Sequence, residues 1–292
     1  MVSIIINPVS GGAAPAVARQ RAELASTLVE AHGEPGEVLV TQRRGHAVAL
    51  AAGAVRRGAR LVVSWGGDGT MNEVAGSLVG TDTALGLVPS GSGNGLAREL
   101  GVVRDARTAL AAALSARPRR IDAGMLDGRY FFSVAGIGFD AHVAAAFDRD
   151  AGTSRGFSSY VRITAREMLR YAPAPYSVNG GASRPIFLIT LANSAQFGNG
   201  VRIAPGARVD DGLLDLVVFE ERSRLATILN VPRLMTGRVA SAPGVSVART
   251  SAAITVESAA PIVYHVDGEP QVGGTRLEAH VVPGALLVAA RT

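Results

Sequence analysis

Three stretches of the chain join glycine to polar side chains in a way that suits anion chemistry. They are Asn7-Pro8-Val9-Ser10-Gly11, Gly66-Gly67-Asp68-Gly69-Thr70 and Pro89-Ser90-Gly91-Ser92-Gly93-Asn94-Gly95. Each follows a short apolar run and precedes a helical pattern. Backbone N–H groups at a helix start point outward together with the positive end of the helix dipole, so such loops attract phosphate. One glycine loop is weak evidence, because many glycines only make turns. Three loops after three strands point to a nucleotide or polyphosphate site. Asp68 has two readings here. It can share a Mg²⁺ ion with phosphate, since that ion takes oxygen ligands from both. It can equally cap the following helix. Thr70 and Asn72 carry the same double reading.

The second half offers two acidic clusters, Asp210-Asp211-Gly212-Leu213-Leu214-Asp215 and Asp267-Gly268-Glu269. Asp-Gly is also a strong hairpin-turn signal. Phosphoryl transfer to a hydroxyl needs a carboxylate within reach of the attacking oxygen. Asp267 and Glu269 are candidates, because two carboxylates flanking a glycine can be placed tightly. The five histidines show no metal-ligand spacing, and no Ser-His-Asp arrangement is visible.

Composition narrows the chemistry. All 29 basic residues are arginine. A Walker A loop and a protein kinase both need a lysine on the phosphates, so both classes are excluded. Phosphotransfer here would use backbone N–H groups, arginine and a metal ion. Cysteine is absent, which excludes disulfides and Cys-based zinc sites and is compatible with a reducing cytoplasm. The net charge is +5, but the arginines are scattered and not interleaved with aromatics. Nucleic-acid binding is therefore not expected, whereas docking to an anionic lipid surface is compatible. The chain opens on a strand pattern, not a signal peptide. No apolar run reaches the roughly 18 residues of a spanning helix. The expectation is a cytoplasmic protein that meets the inner membrane surface transiently.

Stepping outward to the elements, the first 121 residues alternate strands and helices. Strands are predicted over Val2–Ile6, Val38–Thr41, Leu61–Trp65 and Ala84–Val88. Helices are predicted over Pro15–His32, His46–Arg57 and Met71–Leu78, with another from Leu96. That alternation implies a parallel, layered α/β domain. Residues 122–292 read as a mostly antiparallel β domain. Its strands are Tyr130–Ala135, Ile186–Asn193, Leu213–Phe219, Ile254–Glu257, Ile262–Val266, Arg276–Val282 and Ala285–Ala289. Its helices fall near Phe139–Phe147, Ser158–Leu169 and Arg224–Met235. Residues 148–175 read as a mobile insertion or lid.

Together these motifs resemble the catalytic family of diacylglycerol kinases, which includes bacterial soluble lipid kinases and the sphingosine kinases. The resemblance spans nearly the whole chain. Asn7-Pro8-Val9-Ser10-Gly11 is similar to its first loop, Gly66 to Val74 to its signature, and Pro89 to Arg98 to its third loop. Ala204 to Asp215 and Val266 to Glu269 resemble its second-domain motifs. The resemblance implies a three-layer α/β ATP-binding domain followed by a β-sandwich lipid-substrate domain, with the active site in the cleft between them. It implies transfer of the ATP γ-phosphate to a lipid hydroxyl, first of diacylglycerol and next of a sphingoid base, as part of phospholipid biosynthesis. ATP would contact Asn7, Pro8, Val9, Ser10, Gly11, Thr41, Gly66, Gly67, Asp68, Gly69, Thr70, Met71, Asn72, Glu73, Ser92, Gly93 and Asn94. Glu269 would correspond to the proton acceptor, with Asp267 as the alternative and Asp68 near the metal. A structural Mg²⁺ would sit on the Asp211 side chain and the main-chain carbonyls of Arg208 and Leu213. A homodimer is compatible. No C-terminal segment returning to the first domain is expected. One departure stands out: Asn94-Gly95 occupies a place where bacterial diacylglycerol kinases often carry Asn-Asp and sphingosine kinases carry Asn and a small residue. Two other readings compete, a soluble-substrate kinase of the NAD kinase type and a non-catalytic nucleotide- or lipid-binding protein.

Overall fold

The computed structural model describes residues 1–12, 15–149, 157–196, 201–223, 226–227, 233, 236–238 and 241–290. The chain divides into two compact units, Met1–Ile121 with Gly284–Thr292, and Asp122–Pro283.

The first unit is built on β1 (Val2–Ile6), β2 (Gly36–Val40), β3 (Leu61–Gly66) and β4 (Ala84–Pro89). β1 pairs with β2 and β3, and β3 with β4, all in parallel. Every residue of β1, β3 and β4 is buried, as expected of continuous apolar strands covered on both faces. Helices α1 (Pro15–His32) and α5 (Ala106–Ser115) cover one face, where Ala25, Val29, Leu110 and Leu114 meet Val2, Ile4 and Val63. Helices α2 (His46–Arg56) and α3 (Asp68–Leu78) pack on each other, and α2 lies against β1. A short α4 (Gly95–Glu99) follows the third loop. The expected α/β layering is present. Helix α5 is absent from the sequence expectation, although Asp105 caps it by accepting the Thr108 N–H at 2.9 Å.

The second unit is a sandwich. One sheet runs β14 (Glu269–Val272), β13 (Val263–Val266), β7 (Val134–Gly138), β9 (Arg184–Ala192), β10 (Leu214–Glu220) and β11 (Val245–Thr250), antiparallel throughout. The other joins β12 (Ile254–Glu257), β15 (Arg276–Val288), β5 (Arg119–Leu126) and β6 (Arg129–Phe131). β8 (Ala174–Val178) pairs with both β9 and β12. Phe131, Ile137, Ile189, Tyr264 and Leu277 fill the space between the sheets and are fully or almost fully buried.

Several boundaries differ from expectation. The expected strand over Tyr130–Ala135 is two strands, β6 and β7. The expected strands Arg276–Val282 and Ala285–Ala289 are one, β15, which bends at Gly284 (φ 58°). The expected insertion over 148–175 is in part a packed element. Helix α7 (Phe157–Met168) lies on α6 (Phe139–Arg149), with Ile163 buried and Tyr160 edge-on to Phe147, and β8 begins at Ala174. The rest of that insertion, residues 150–156, and most of the helix expected over Arg224–Met235 lie outside the described residues.

The second domain was expected to run to residue 292 with no return to the first. The chain does return. Val288 pairs with Leu85 in parallel, the Ala289 N–H donates to the Leu85 carbonyl at 2.8 Å, and the Gly80 N–H donates to the Ala285 carbonyl at 3.0 Å. Leu286 and Val288 are buried. Deletion of residues 284–292 should therefore destabilise the chain by about 3–6 kcal/mol, at ~1.5–3 kcal/mol for each large buried side chain lost. Urea unfolding measures this, and an unchanged midpoint would refute the structural role of the return.

Candidate functional site

The three polar loops follow β1, β3 and β4 at the carboxyl edge of a parallel sheet, where ligands bind in this class of fold. Parallel register puts their starts side by side: the Asn7 N–H donates to the Trp65 carbonyl at 2.9 Å and the Ser90 N–H to the Gly66 carbonyl at 2.9 Å. Thr41, at the end of β2, joins the same edge through its N–H on the Ile6 carbonyl at 2.9 Å.

Side chains then lock loop to loop. Asn7 Nδ2 donates to Thr70 Oγ1 at 2.9 Å, while Asn7 Oδ1 accepts the Val9 N–H at 3.1 Å. The Ser10 and Ser90 hydroxyls lie 2.6 Å apart. Asn94 adopts a left-handed backbone (φ 53°) and closes its own loop, accepting the Gly91 N–H at 3.0 Å and donating to the Gly91 carbonyl at 2.6 Å. Gly91 itself sits so close to the second loop that a Cβ on it would lie 2.8 Å from Gly67 Cα. Only glycine fits that approach.

The strongest tie is Asp68. Its carboxylate accepts the Asn94 N–H at 2.8 Å and the Gly95 N–H at 2.7 Å. The two open readings of this residue thus resolve in part. Asp68 is a cap, but of α4 in the third loop and not of α3, the helix it begins. Helix α3 starts at Asp68, three residues earlier than expected, and no side chain caps its N-terminus. Burial pushes the Asp68 carboxyl above the usual carboxylate range, and the two N–H groups and Arg98 oppose that rise.

Three arginines complete the frame. Arg21 donates to the Asn7 carbonyl at 3.1 Å, to Ser10 Oγ at 3.0 Å and to the Ser10 carbonyl at 3.1 Å. Arg98 Nε donates to the Gly93 carbonyl at 2.8 Å and Arg104 to the Gly91 carbonyl at 3.2 Å. Glu73 holds the N-terminal end of α2, accepting the Gly45 N–H at 2.9 Å and the Ala47 N–H at 3.1 Å. Thr70 and Met71 are buried, whereas Val9 and Ser92 are exposed and Gly67 and Gly69 half-buried.

In the second unit, Asp267 (φ 48°) and Gly268 (φ 87°) form the two-residue turn between β13 and β14, as the Asp-Gly signal predicts. The Asp267 carboxylate accepts the N–H groups of Phe132 and Ser133, each at 2.8 Å, and of Val134 at 3.1 Å. With its oxygens so engaged it is a clamp on the start of β7. Glu269 is half-buried at the head of β14.

The other acidic cluster precedes β10. Asp211 Oδ1 accepts the Leu213 N–H at 3.1 Å, and Arg208 pairs with Asp210 at 3.3 Å. Asp122, read from sequence only as a boundary, is buried here and accepts the Gly212 N–H at 2.7 Å. Burial raises the Asp215 carboxyl, Arg249 lowers it, and the nearby Asp211 charge raises it further. Among the described residues no three His, Asp or Glu side chains gather as a metal site. The Asp211 carboxylate with two main-chain carbonyls of the same turn is nonetheless a hard oxygen set of the type a partly hydrated Mg²⁺ accepts.

Asp68→Ala would leave two N–H groups of the third loop without their acceptor. A loss of about 1–3 kcal/mol is expected, with a smaller loss for Asp68→Asn, which keeps one acceptor oxygen. Equal urea midpoints for Asp68→Ala and the natural chain would show that the tie contributes nothing.

The comparisons with known proteins agree with this geometry. The model of the diacylglycerol kinase catalytic domain matches residues 1–126, and that of the YegS C-terminal NAD kinase beta sandwich-like domain matches residues 133–290. A Chromohalobacter salexigens protein named "Probable lipid kinase YegS-like" is 32% identical over 260 residues, covering 87% of this chain and 83% of its own length. A Pseudomonas aeruginosa protein of the same name is 32% identical over 279 residues, covering 89% and 87%. A diacylglycerol kinase structure from Bacillus anthracis shares the fold with a TM-score of 0.77 at 17% identity, covering 99% of this chain and 96% of that one. An NAD kinase from Archaeoglobus fulgidus in complex with ATP is more distant, with a TM-score of 0.52 at 12% identity, covering 99% and 93%. With both family models matched in order along its length, this chain belongs to the diacylglycerol kinase catalytic family of lipid kinases with a YegS-type C-terminal domain.

Proposed function

We propose that this protein transfers the γ-phosphate of Mg²⁺-bound ATP to the hydroxyl of a membrane lipid, with diacylglycerol as the first acceptor to test and a sphingoid base as the second. The observation that carries the reading is the set of three loops, tied together by Asp68, Asn94 and the Ser10–Ser90 pair, with an uncapped α3 N-terminus among them. Such an arrangement presents backbone N–H groups and a helix dipole to phosphate without lysine. Since the frame is preformed, little reorganisation is needed when the triphosphate binds.

In the proposed step the lipid hydroxyl oxygen forms a bond to the γ-phosphorus, and the bond from that phosphorus to the β–γ bridging oxygen breaks. The hydroxyl proton passes to Glu269, and ADP leaves. Asp68 acts through the loops it ties, and Asp267 through the turn that carries Glu269. Mg²⁺, when bound with ATP, would neutralise charge developing on the phosphates. A second, structural Mg²⁺ would be held by Asp211 and the carbonyls of Arg208 and Leu213. No helix among the described residues is long and apolar enough to cross a membrane. Peripheral contact with an anionic lipid surface, helped by a net charge of +5, is therefore the proposed route to the acceptor. The same reading would have the protein work from the cytoplasmic side.

The ATP-bound NAD kinase fold gives a soluble acceptor some support. Incubation of the full chain with labelled ATP and a total lipid extract, and in parallel with NAD, separates the two. A labelled lipid is expected; labelled NAD phosphate with no labelled lipid would end the lipid reading. Within that assay Glu269→Gln should lower turnover by about 100-fold or more, the scale of general base catalysis. Unaltered turnover in that variant would remove Glu269 from the mechanism.

A further inference from the structure

The turn that carries Glu269 is braced by a pair that no motif singled out, His265 and Asp140. β13 lies between β7 and β14, so His265 stands opposite Gly136 on one side and Pro270 on the other. It is fully buried. Helix α6 begins at Phe139, directly after β7, and brings Asp140 over the same strand. Asp140 Oδ2 lies 3.3 Å from His265 Nε2. The two atoms face each other without the geometry of a hydrogen bond. Asp140 is itself fixed, since its Oδ1 accepts the Ala141 N–H at 2.9 Å.

Gly136 makes the arrangement sterically feasible. A Cβ at that position would fall 2.0 Å from Asp140 Oδ2 and 2.6 Å from His265 Nε2. The strand therefore leaves its side-chain space to the pair. Across the ring, His265 Nδ1 accepts the Gly268 N–H at 3.2 Å. That acceptor duty places the proton of the neutral ring on Nε2, facing Asp140. A continuous path of contacts thus runs from α6 through the imidazole to the residue directly before Glu269. Burying a carboxylate beside an imidazole is costly compared with filling the same space with apolar side chains. A fold that needed only packing here would have a cheaper solution.

We infer that Asp140 and His265 are positioning residues for Glu269. Asp267 clamps one end of the two-residue turn to β7, and His265, oriented by Asp140, clamps the other at Gly268. Together they fix where the main chain of Glu269 starts. The inference rests on the reading of Glu269 as proton acceptor. Neither residue is placed in contact with ATP.

The test uses the full chain with labelled ATP and diacylglycerol micelles, and compares Asp140→Asn, His265→Leu and His265→Asn with Glu269→Gln. Asparagine at 265 keeps an acceptor for the Gly268 N–H; leucine does not. Asp140→Asn and His265→Leu should lower kcat by about tenfold or more, as loss of precise placement does. KM for ATP should stay within about twofold, because placement and not ATP binding is altered. His265→Asn should recover part of the kcat lost in His265→Leu. Independently of turnover, hydrogen exchange at the Gly268 amide should speed up in His265→Leu and slow again in His265→Asn. If His265→Leu does not fold, Asp140→Asn and His265→Asn decide. Wild-type kcat in Asp140→Asn and in the folded His265 variants, beside an impaired Glu269→Gln, would overturn the pair alone. An effect confined to KM for the lipid would also overturn it, by assigning the pair to acceptor binding. Wild-type turnover in Glu269→Gln would overturn the reading beneath it.

Discussion

The carboxylate of Asp68 and its two backbone donors set the geometry on which the loop edge of the parallel sheet depends. A parallel sheet places its loops near one another, but strand register alone leaves loop tips free to splay. Asp68 begins α3 and accepts the N–H groups at the start of α4, so one side chain fixes the separation of two helix N-termini. Other features of the edge conform to that spacing. Gly91 approaches Gly67 so closely that a Cβ on it would not fit, Ser10 reaches Ser90, and Asn7 reaches Thr70. Arg21, Arg98 and Arg104 then take loop carbonyls. Carbonyls held in this way leave the N–H groups to define the potential at the surface.

Much of this was legible in the sequence, and the losses have physical causes. Unbroken apolar strands such as Val2–Ile6 and Ala84–Pro89 were read within a residue, because burial on both faces removes polar alternation. Strand β5 was missed because Arg119, Arg120 and Asp122 interrupt its apolar pattern, and the partner that lets Asp122 be buried, the Gly212 N–H, lies far along the chain. The C-terminal return was missed because Pro283-Gly284 reads as a turn that ends a strand. Here it bends β15 and lets Val288 pair with Leu85. Helix α5 was passed over despite its Asp105 cap and the buried spacing of Ala109, Leu110, Ala113 and Leu114.

The site shows the same division. Motif spacing located the three loops and the Asp-Gly-Glu turn, since these are local. It could not assign duties within them, because those depend on partners far along the chain. Asp68 meets Asn94 and Gly95, and Asp267 meets Phe132, Ser133 and Val134. The Asp140–His265 contact likewise joins distant segments and has no spacing signature.

These partners change how the acidic residues of the motifs are understood. A carboxylate beside a polyphosphate is repulsive, which makes an Asp in each signature puzzling if it faces the ligand. Asp68 and Asp267 both turn their oxygens onto clusters of backbone N–H groups, so hydrogen bonds and local dipoles balance their charge. For Asp68 that balance is incomplete, since burial still raises its carboxyl above the usual range. The fold thus uses these carboxylates as short, rigid acceptors that stitch loops. Glu269 differs in kind. It follows the clamped turn and heads an edge strand, so its backbone is fixed, and the proposed proton transfer would draw on the reach of its longer side chain.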